Sequence, residues 1–220
     1  MEESSRYCKV CVTGGAGFIG SSLIKMLLDK GLYYVHATLR NLGDPIKVKV
    51  LKSMEGADTR LKLFEADIYN PQQFEVHVDL RAGPCTIRAL AICNYDYIIS
   101  KTESEKEVLR FGEDGNMEVV TLVCGLVGGD TLLSYTPATT AVLLCQITEI
   151  ESQYYQTFRC LEDLCGKIPI IHIHDICEAH IFCIQNDSIN GRVLCASNYV
   201  SSTEIAECLE QTYPEFHVKQ

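Results

Sequence analysis

A glycine-rich turn near the N-terminus constrains the fold of this chain more than any other feature. The β-rich run KVCVT occupies residues 9–13, and GGAGFIG follows at residues 14–20. The next stretch, SSLIKMLLDKG, places Leu23, Leu27 and Leu28 at helical spacing. Strand, glycine turn and helix in this order predict a turn that lets the backbone approach a pyrophosphate at the helix N-terminus.

Two further units of the same kind follow the turn. A second strand is predicted at Tyr34–Leu39, a helix in the segment DPIKVKVLKSM, and a third strand at Leu61–Ala66. Three consecutive βα units with right-handed crossovers make half of a doubly wound sheet. The predicted fold class is therefore α/β, with a Rossmann-type parallel sheet.

Composition and charge narrow the class of protein. With 220 residues, of which 47% are hydrophobic, the chain can bury one sizeable core and a small additional subdomain. The net charge of −10 argues against a nucleic-acid or membrane partner, since phosphate contacts need clustered Lys and Arg. The sequence has neither a signal-peptide layout nor an apolar run long enough to cross a bilayer, so we expect a cytoplasmic protein.

Two short patterns contain metal-binding residue types without predicting a metal site. Cys8 and Cys11 lie three apart on a predicted strand, so their sulfurs point to opposite faces. His172 and His174 would share one face of a strand, yet no spacing defines a third ligand. We expect free cysteine thiols, no bound metal, and a strand that leads into a helix at residues 172–175.

The residue at the end of the second predicted strand bears on the choice of cofactor. In NAD-binding sites, an acidic residue about 20 positions past the glycines holds the ribose hydroxyls. Arg40 occupies that position, 20 residues after Gly20, and Lys47 follows close behind. Because a cation accommodates a 2′-phosphate, the sequence favours NADP(H) over NAD(H).

Tyr97 and Lys101 form the pattern Y-x-x-x-K within YDYIISK. This spacing arises by chance in about every second chain of this composition, so the surrounding motifs must give it meaning. On a helix the two residues share a face, and a nearby ammonium lowers the pKa of a tyrosine from about 10 toward neutral pH. Tyr97 is therefore a candidate proton donor to a carbonyl oxygen, with Lys101 as its activator.

These motifs, taken in order, resemble the extended short-chain dehydrogenase/reductases of the NAD-dependent epimerase/dehydratase superfamily. The resemblance is carried by VTGGAGFIG, the strand that ends in Arg40, EADI at residues 65–68, and the Y-x-x-x-K pattern. It is strongest to the plant dihydroflavonol reductases, anthocyanidin reductases and HC-toxin reductases. Similar segments cover residues 8–75 and 90–216, which is nearly the whole chain.

The resemblance implies a role for each matching residue. The residues implied to bind NADP(H), from the pyrophosphate turn to the nicotinamide end, are Gly14, Gly15, Gly17, Phe18, Ile19, Gly20, Arg40, Lys47, Asp67, Ile68, Tyr97, Lys101 and Val127. Arg40 and Lys47 would hold the 2′-phosphate. Asp67 and Ile68 would flank the adenine. Val127 would lie at the nicotinamide end, in a loop from which the proline usual in the family near residues 124–125 is absent.

The interval before Tyr97 is too short for an intact member of this group. Only 30 residues separate Asp67 from Tyr97, whereas a single βαβ unit takes about 30 residues or more. We therefore expect a shortened relative with a short C-terminus and an internal deletion around residues 76–94. The deletion would remove strands 4 and 5 of the family's sheet. In the family the fifth strand carries a serine that bonds the substrate carbonyl, and Ser100 cannot replace it because it follows Tyr97 on the same helix.

The expected organisation is an NADP-binding Rossmann domain over residues 7–130 and a mainly substrate-binding part over residues 131–220. The implied activity is NADPH-dependent reduction of a carbonyl on a flavonoid-like or related secondary metabolite, by a monomer or weak homodimer. Two alternatives remain open. The chain could be a catalytically impaired NADP(H)-binding relative, or a nucleotide-sugar epimerase or dehydratase, which shares the fold and the Tyr–Lys pair.

Overall fold

The protein divides into two compact units, which we describe separately. The computed structural model describes residues 8–67, 70, 73, 95–113, 118–148 and 152–219. Of these, the first unit contains residues 8–67, 70, 73 and 131–134, and the second contains all others. The domain boundary expected at residue 130 stays a prediction.

The first unit is a three-stranded parallel sheet with its connecting helices. In chain order its elements are β1 (Cys8–Val12), α1 (Phe18–Asp29), β2 (Tyr33–Leu39), α2 (Pro45–Lys52), α3 (Ala57–Arg60) and β3 (Leu61–Glu65). The strand order is β1-β2-β3, and both pairings are parallel. Among the described residues, β1 pairs with β2 alone, so its other edge has no strand there.

Local signals in the sequence explain the helices of this unit. The apolar stripe of α1, which includes Leu23 and Leu27, is buried, and Gly31 ends the helix with a φ of +72°. Asp44 caps α2 by accepting hydrogen bonds from the N–H groups of Ile46 and Lys47, each at 3.2 Å. Capped and oriented in this way, both helices cross back between neighbouring parallel strands.

The second unit contains two small sheets and the remaining helices. Its elements are α4 (Tyr95–Glu113), β4 (Val120–Cys124), β5 (Leu126–Gly128), α5 (Ala138–Leu143), α6 (Ser152–Cys165), β6 (Ile168–His172), α7 (Ile173–Gln185), β7 (Gly191–Cys195), β8 (Asn198–Val200) and α8 (Ser202–Thr212). One sheet is the parallel pair β4–β7. In the other, β6 pairs in parallel with β5 and antiparallel with β8. A core cluster under the second sheet consists of Leu126, Val142, Cys145, Phe158 and Ile168.

The structure confirms the α/β class and most of the element boundaries expected from sequence. The second and third strands differ by one residue from the predicted spans, and β6 leads directly into α7 as expected. His172 ends the strand and caps the helix, its Nδ1 accepting from the N–H of His174 at 3.2 Å. Within the described ranges, no group of three His, Cys, Asp or Glu side chains is placed to hold a metal ion. No helix there is long and apolar enough to span a membrane.

Candidate active site

The glycine turn is fastened to the sheet by its own backbone. The N–H of Gly15 donates to the Thr38 carbonyl of β2 at 2.9 Å, and the N–H of Gly17 donates to the Gly14 carbonyl at 2.9 Å. Gly14 has a φ of +65°, a conformation that favours glycine. The turn therefore closes tightly at the carboxyl end of β1, beside the end of β2.

The turn also brings backbone against backbone at the start of α1. A Cβ on Gly20 would overlap the carbonyl oxygen of Gly14, so that position has room for hydrogen only. Gly17 is the N-cap and supplies no side-chain hydrogen bond to the first turn. The first N–H groups of a helix lack intrahelical acceptors. In α1 these are the N–H groups of Phe18, Ile19 and Gly20. Their positive end is suited to a pyrophosphate, so this turn fits the dinucleotide expected from sequence.

Arg40 and Asp67 meet at the same edge of the sheet. Arg40 follows β2, Asp67 follows β3, and Nε of Arg40 lies 3.8 Å from Oδ2 of Asp67. The Arg40 side chain is 78% exposed, so the ion pair contributes about 0–1 kcal/mol and leaves the guanidinium accessible. The loop between them is fixed by the N–H of Leu42, which donates to Glu65 at 2.9 Å. Ile68, predicted to flank the adenine with Asp67, lies outside the described residues.

Lys47, the second predicted phosphate ligand, has a carboxylate partner. Its Nζ lies 3.0 Å from Oδ2 of Asp44, the residue that caps α2. The Lys47 hydrogen bond to this carboxyl is the main reason why the pKa of Asp44 is lowered. Lys47 is half-exposed, so a bound phosphate would compete with Asp44 for its ammonium.

Tyr97 and Lys101 lie on α4, in the second unit. The helix begins at Tyr95, so the helical placement of the Y-x-x-x-K pattern is as expected, and Lys101 is half-buried. Sequence reasoning missed Glu105, one turn further along. Its Oε1 accepts from the Thr121 hydroxyl at 2.9 Å and lies 3.0 Å from Nε of Arg192. In the sequence, the one signal for Glu105 is its helical spacing from Lys101. Its partner Arg192 gives no signal because it lies 87 positions away.

Val127 is fully buried in β5, opposite Ile171 of β6. The chain reaches β5 through Gly125, whose N–H donates to the Cys195 carbonyl at 3.0 Å. A Cβ at Gly125 would overlap the backbone of Pro169. A proline at Gly125 would lose the hydrogen bond and meet the same obstruction, so this backbone disfavours a proline there.

The predicted site residues thus fall into two groups. The glycine turn, Arg40 and Asp67 share the carboxyl edge of the sheet in the first unit. Tyr97, Lys101 and Val127 belong to the second unit. The roles expected for the residues of both groups stay predictions. Each group is internally consistent with its expected role: anion binding by backbone in the first, and a helical Tyr–Lys pair in the second.

Comparison with known proteins identifies reductases among the similar chains. A putative anthocyanidin reductase from Ginkgo biloba is 28% identical, with 95% of this chain and 81% of that protein aligned. A dihydroflavonol 4-reductase from Callistephus chinensis is 26% identical, with 95% and 74% aligned. The crystal structure of vestitone reductase from Medicago sativa matches with a TM-score of 0.80 at 24% identity, over 96% of this chain and 83% of that one.

The alignment also bears on the short interval before Tyr97. The comparison with the Ginkgo biloba protein runs over 280 positions, and 95% of 220 residues, about 209, come from this chain. About 71 positions of that relative therefore face gaps in this chain. The chain is therefore shorter than this relative by internal segments, as expected from the sequence, and the expected position of the deletion around residues 76–94 stays a prediction.

Two family models match successive parts of the chain. The one described as GDP-mannose 4,6 dehydratase matches residues 11–91. The one described as the NAD dependent epimerase/dehydratase family matches residues 82–196, which is 115 of the 220 residues. The resemblance inferred from the motifs is thus confirmed, and this Rossmann-type chain belongs to the NAD dependent epimerase/dehydratase family.

Proposed function

We propose that this chain is an NADPH-dependent oxidoreductase that reduces a carbonyl group of a flavonoid-like or related secondary metabolite. The observation that carries the proposal is the first unit's edge, where the glycine turn and the exposed Arg40 lie at the ends of neighbouring parallel strands. The named activities of the relatives, anthocyanidin reductase and dihydroflavonol 4-reductase, support the substrate class.

The proposed cofactor is NADP(H) because the carboxyl edge of the first unit's sheet presents a cation, Arg40, next to the glycine turn. The N–H groups at the start of α1 would hold the pyrophosphate, and the guanidinium of Arg40 would exchange Asp67 for the 2′-phosphate. A phosphate offers this guanidinium two charge-assisted hydrogen bonds, whereas the Asp67 contact is long and exposed. When bound, the nicotinamide supplies the hydride that reduces the carbonyl carbon.

The proposed chemistry on the protein side is a proton transfer from Tyr97. As hydride adds to the carbonyl carbon, the carbonyl π electrons move to the oxygen, and the Tyr97 hydroxyl gives that oxygen a proton. The phenolate left behind is stabilised by the ammonium of Lys101, one helical turn away. The alcohol product and the oxidised cofactor complete the balance.

A second candidate is a cofactor-binding relative without catalysis. It is favoured by the gaps of about 71 positions against the Ginkgo biloba reductase and by the edge of β1 that no described strand covers. A third, a nucleotide-sugar epimerase or dehydratase, is favoured by the match of residues 11–91 to the GDP-mannose dehydratase model. The names of the relatives, anthocyanidin reductase and dihydroflavonol 4-reductase, argue against this third candidate.

Titration of the purified chain with NADPH and NADH, followed by nicotinamide fluorescence, tests the cofactor. We expect Arg40→Gln to weaken NADPH binding by about ten- to a hundredfold, because it removes a charge-assisted contact to phosphate. NADH binding should change by less than about twofold, since NADH has no 2′-phosphate. Lys25→Gln is the matched control: it removes an exposed cation of the same unit, paired with Asp29 on α1. Equal losses for NADPH and NADH would contradict the proposed role of Arg40.

A panel of flavonoid and aliphatic ketones tests the reaction itself. We expect oxidation of NADPH with at least one flavonoid ketone. If the chain binds NADPH but oxidises none, while a version with the missing internal segment restored from a related reductase does, the second candidate replaces the first.

A further inference from the structure

The helix that carries Tyr97 and Lys101 is linked to its sheet by the carboxylate of Glu105. One oxygen of this carboxylate accepts from the hydroxyl of Thr121 and pairs with Nε of Arg192. Thr121 and Arg192 are directly paired across the β4–β7 ladder. A single carboxylate oxygen therefore joins α4 to both strands of the sheet beneath it.

Burial distinguishes this link from the other ion pairs of α4. The Glu105 side chain is 13% exposed and Thr121 only 2%, although the Arg192 side chain is 57% exposed. The Arg110–Glu107 pair, in contrast, is 71% and 66% exposed and lies within the helix. Hydrogen bonds to a charge are stronger where water is partly excluded, whereas exposed pairs contribute little. The Glu105 contact is thus suited to resist sliding or rotation of α4 on the sheet.

We propose that Glu105 is a positioning residue for the Tyr97–Lys101 pair. The proposal rests on the proposed reductase function, which gives the pair its role. Glu105 lies four residues after Lys101 and eight after Tyr97, so all three follow one stripe of the helix. A shift of about an ångström in a reacting group can cost about a hundredfold in rate. Glu105 acts by setting where α4 rests, and it does not itself contact the substrate.

Four variants separate this role from a general loss of stability. Glu105→Ala removes both contacts, and Glu105→Gln keeps an acceptor oxygen for Thr121 but removes the charge that pairs with Arg192. Thr121→Val removes the hydroxyl donor at nearly constant volume. Glu107→Gln is the matched control, since it breaks an exposed ion pair on the same helix without touching the sheet.

The first measurement is amide hydrogen exchange, which needs no activity. We expect exchange in α4 to rise about tenfold in Glu105→Ala, less in Glu105→Gln and Thr121→Val, and not at all in Glu107→Gln. Exchange in α1 of the first unit should stay unchanged and serves as the internal reference. If Glu105→Ala leaves exchange in α4 unchanged, the proposal is overturned. Should Glu105→Ala fail to fold, Glu105→Gln and Thr121→Val provide the same comparison with Glu107→Gln.

The second measurement is a split between turnover and cofactor affinity. We expect kcat to fall about tenfold or more in Glu105→Ala, with partial recovery in Glu105→Gln and an NADPH Kd within about twofold of wild type. A merely structural role would instead weaken NADPH binding, kcat and melting temperature together, which would overturn the proposal. If the wild-type chain shows no turnover, the proposed function fails, and hydrogen exchange alone still decides whether Glu105 holds α4.

Discussion

The two units differ in how far apart along the chain their paired strands lie. In the first unit, β1, β2 and β3 all form within residues 8–65, and each strand pairs with the next one in sequence. In the second, Val120 of β4 pairs with Gly191 of β7, 71 positions later, and Leu126 of β5 pairs with Ile170 of β6. The first unit is therefore a local structure, and the second depends on long-range pairing.

The two units also hold their candidate functional groups by different means. The glycine turn is made of main-chain groups, positioned by hydrogen bonds such as that from the N–H of Gly15 to the Thr38 carbonyl. The Tyr–Lys helix is held to its sheet through side chains, of which the part-buried Glu105 is the example. Backbone sites tolerate most substitutions outside their glycines, whereas a side-chain site can be lost at one position. This difference predicts that cofactor affinity and turnover can be altered separately.

The largest expected effect comes from Tyr97→Phe, which tests that separation directly. Removing the proton donor should lower kcat by about a hundred- to ten-thousandfold. NADPH affinity should change by less than about twofold, because the glycine turn and Arg40 would supply most of the binding and the Tyr97 hydroxyl would add little to it. Steady-state kinetics and fluorescence titration measure the two quantities. Tyr95→Phe, which removes a hydroxyl two residues earlier on the same helix, is the control and should retain its kcat. A loss below about tenfold in Tyr97→Phe would indicate that this pair is not the proton-donating site.

The opposite result is expected from Gly20→Ala, in the first unit. The added Cβ would overlap the Gly14 carbonyl oxygen, so the turn must open and its N–H groups lose their alignment. We expect NADPH affinity to fall by about tenfold or more and the free energy of unfolding to drop by about 1–3 kcal/mol. Gly17→Ala is the matched comparison, since its Cβ would lie 3.2 Å from the same oxygen and should cost less. Equal effects of the two variants in fluorescence titration and urea unfolding would show that the close approach at Gly20 is not what shapes the turn.

The same contrast explains how much the sequence could predict. The glycine turn, α1, Arg40 and the capped start of α2 at Asp44 depend on residues within a few positions of one another. Their periodicity and capping signals are therefore visible in the sequence. The spans of β2 and β3 were predicted to within one residue at each end.

The tertiary contacts of the second unit have no such local signal. Glu105 resembles any other glutamate of a charged helix until Thr121 and Arg192 are placed beside it. The antiparallel pairing of β8 with β6 and the close packing at Gly125 likewise depend on segments distant in sequence. The sequence predicted the helix of the Tyr–Lys pair but not what holds that helix in place, because the holding contacts are long-range.

The smallest expected effect concerns Glu204 and tests whether long-range side-chain contacts in the second unit respond to pH. The Lys167 ammonium, bonded to Glu204 at 2.8 Å, and the N–H of Ser201 lower the pKa of this carboxyl from 4.5 to about 2. Because the folded pKa is lowered, the contact stabilises the folded state above about pH 4.5 and is lost as the pH falls toward about 2. Glutamine at position 204 can still complete the capping box with Ser201, so Glu204→Gln removes mainly the charge.

We expect the melting temperature of Glu204→Gln to lie slightly below that of wild type at pH 6, with the difference closing as the pH falls from about 4.5 toward about 2. Glu207→Gln, on the exposed face of the same helix, should show no such convergence. A difference that stays constant down to pH 2 would mean that the Lys167 contact does not stabilise the second unit through its charge.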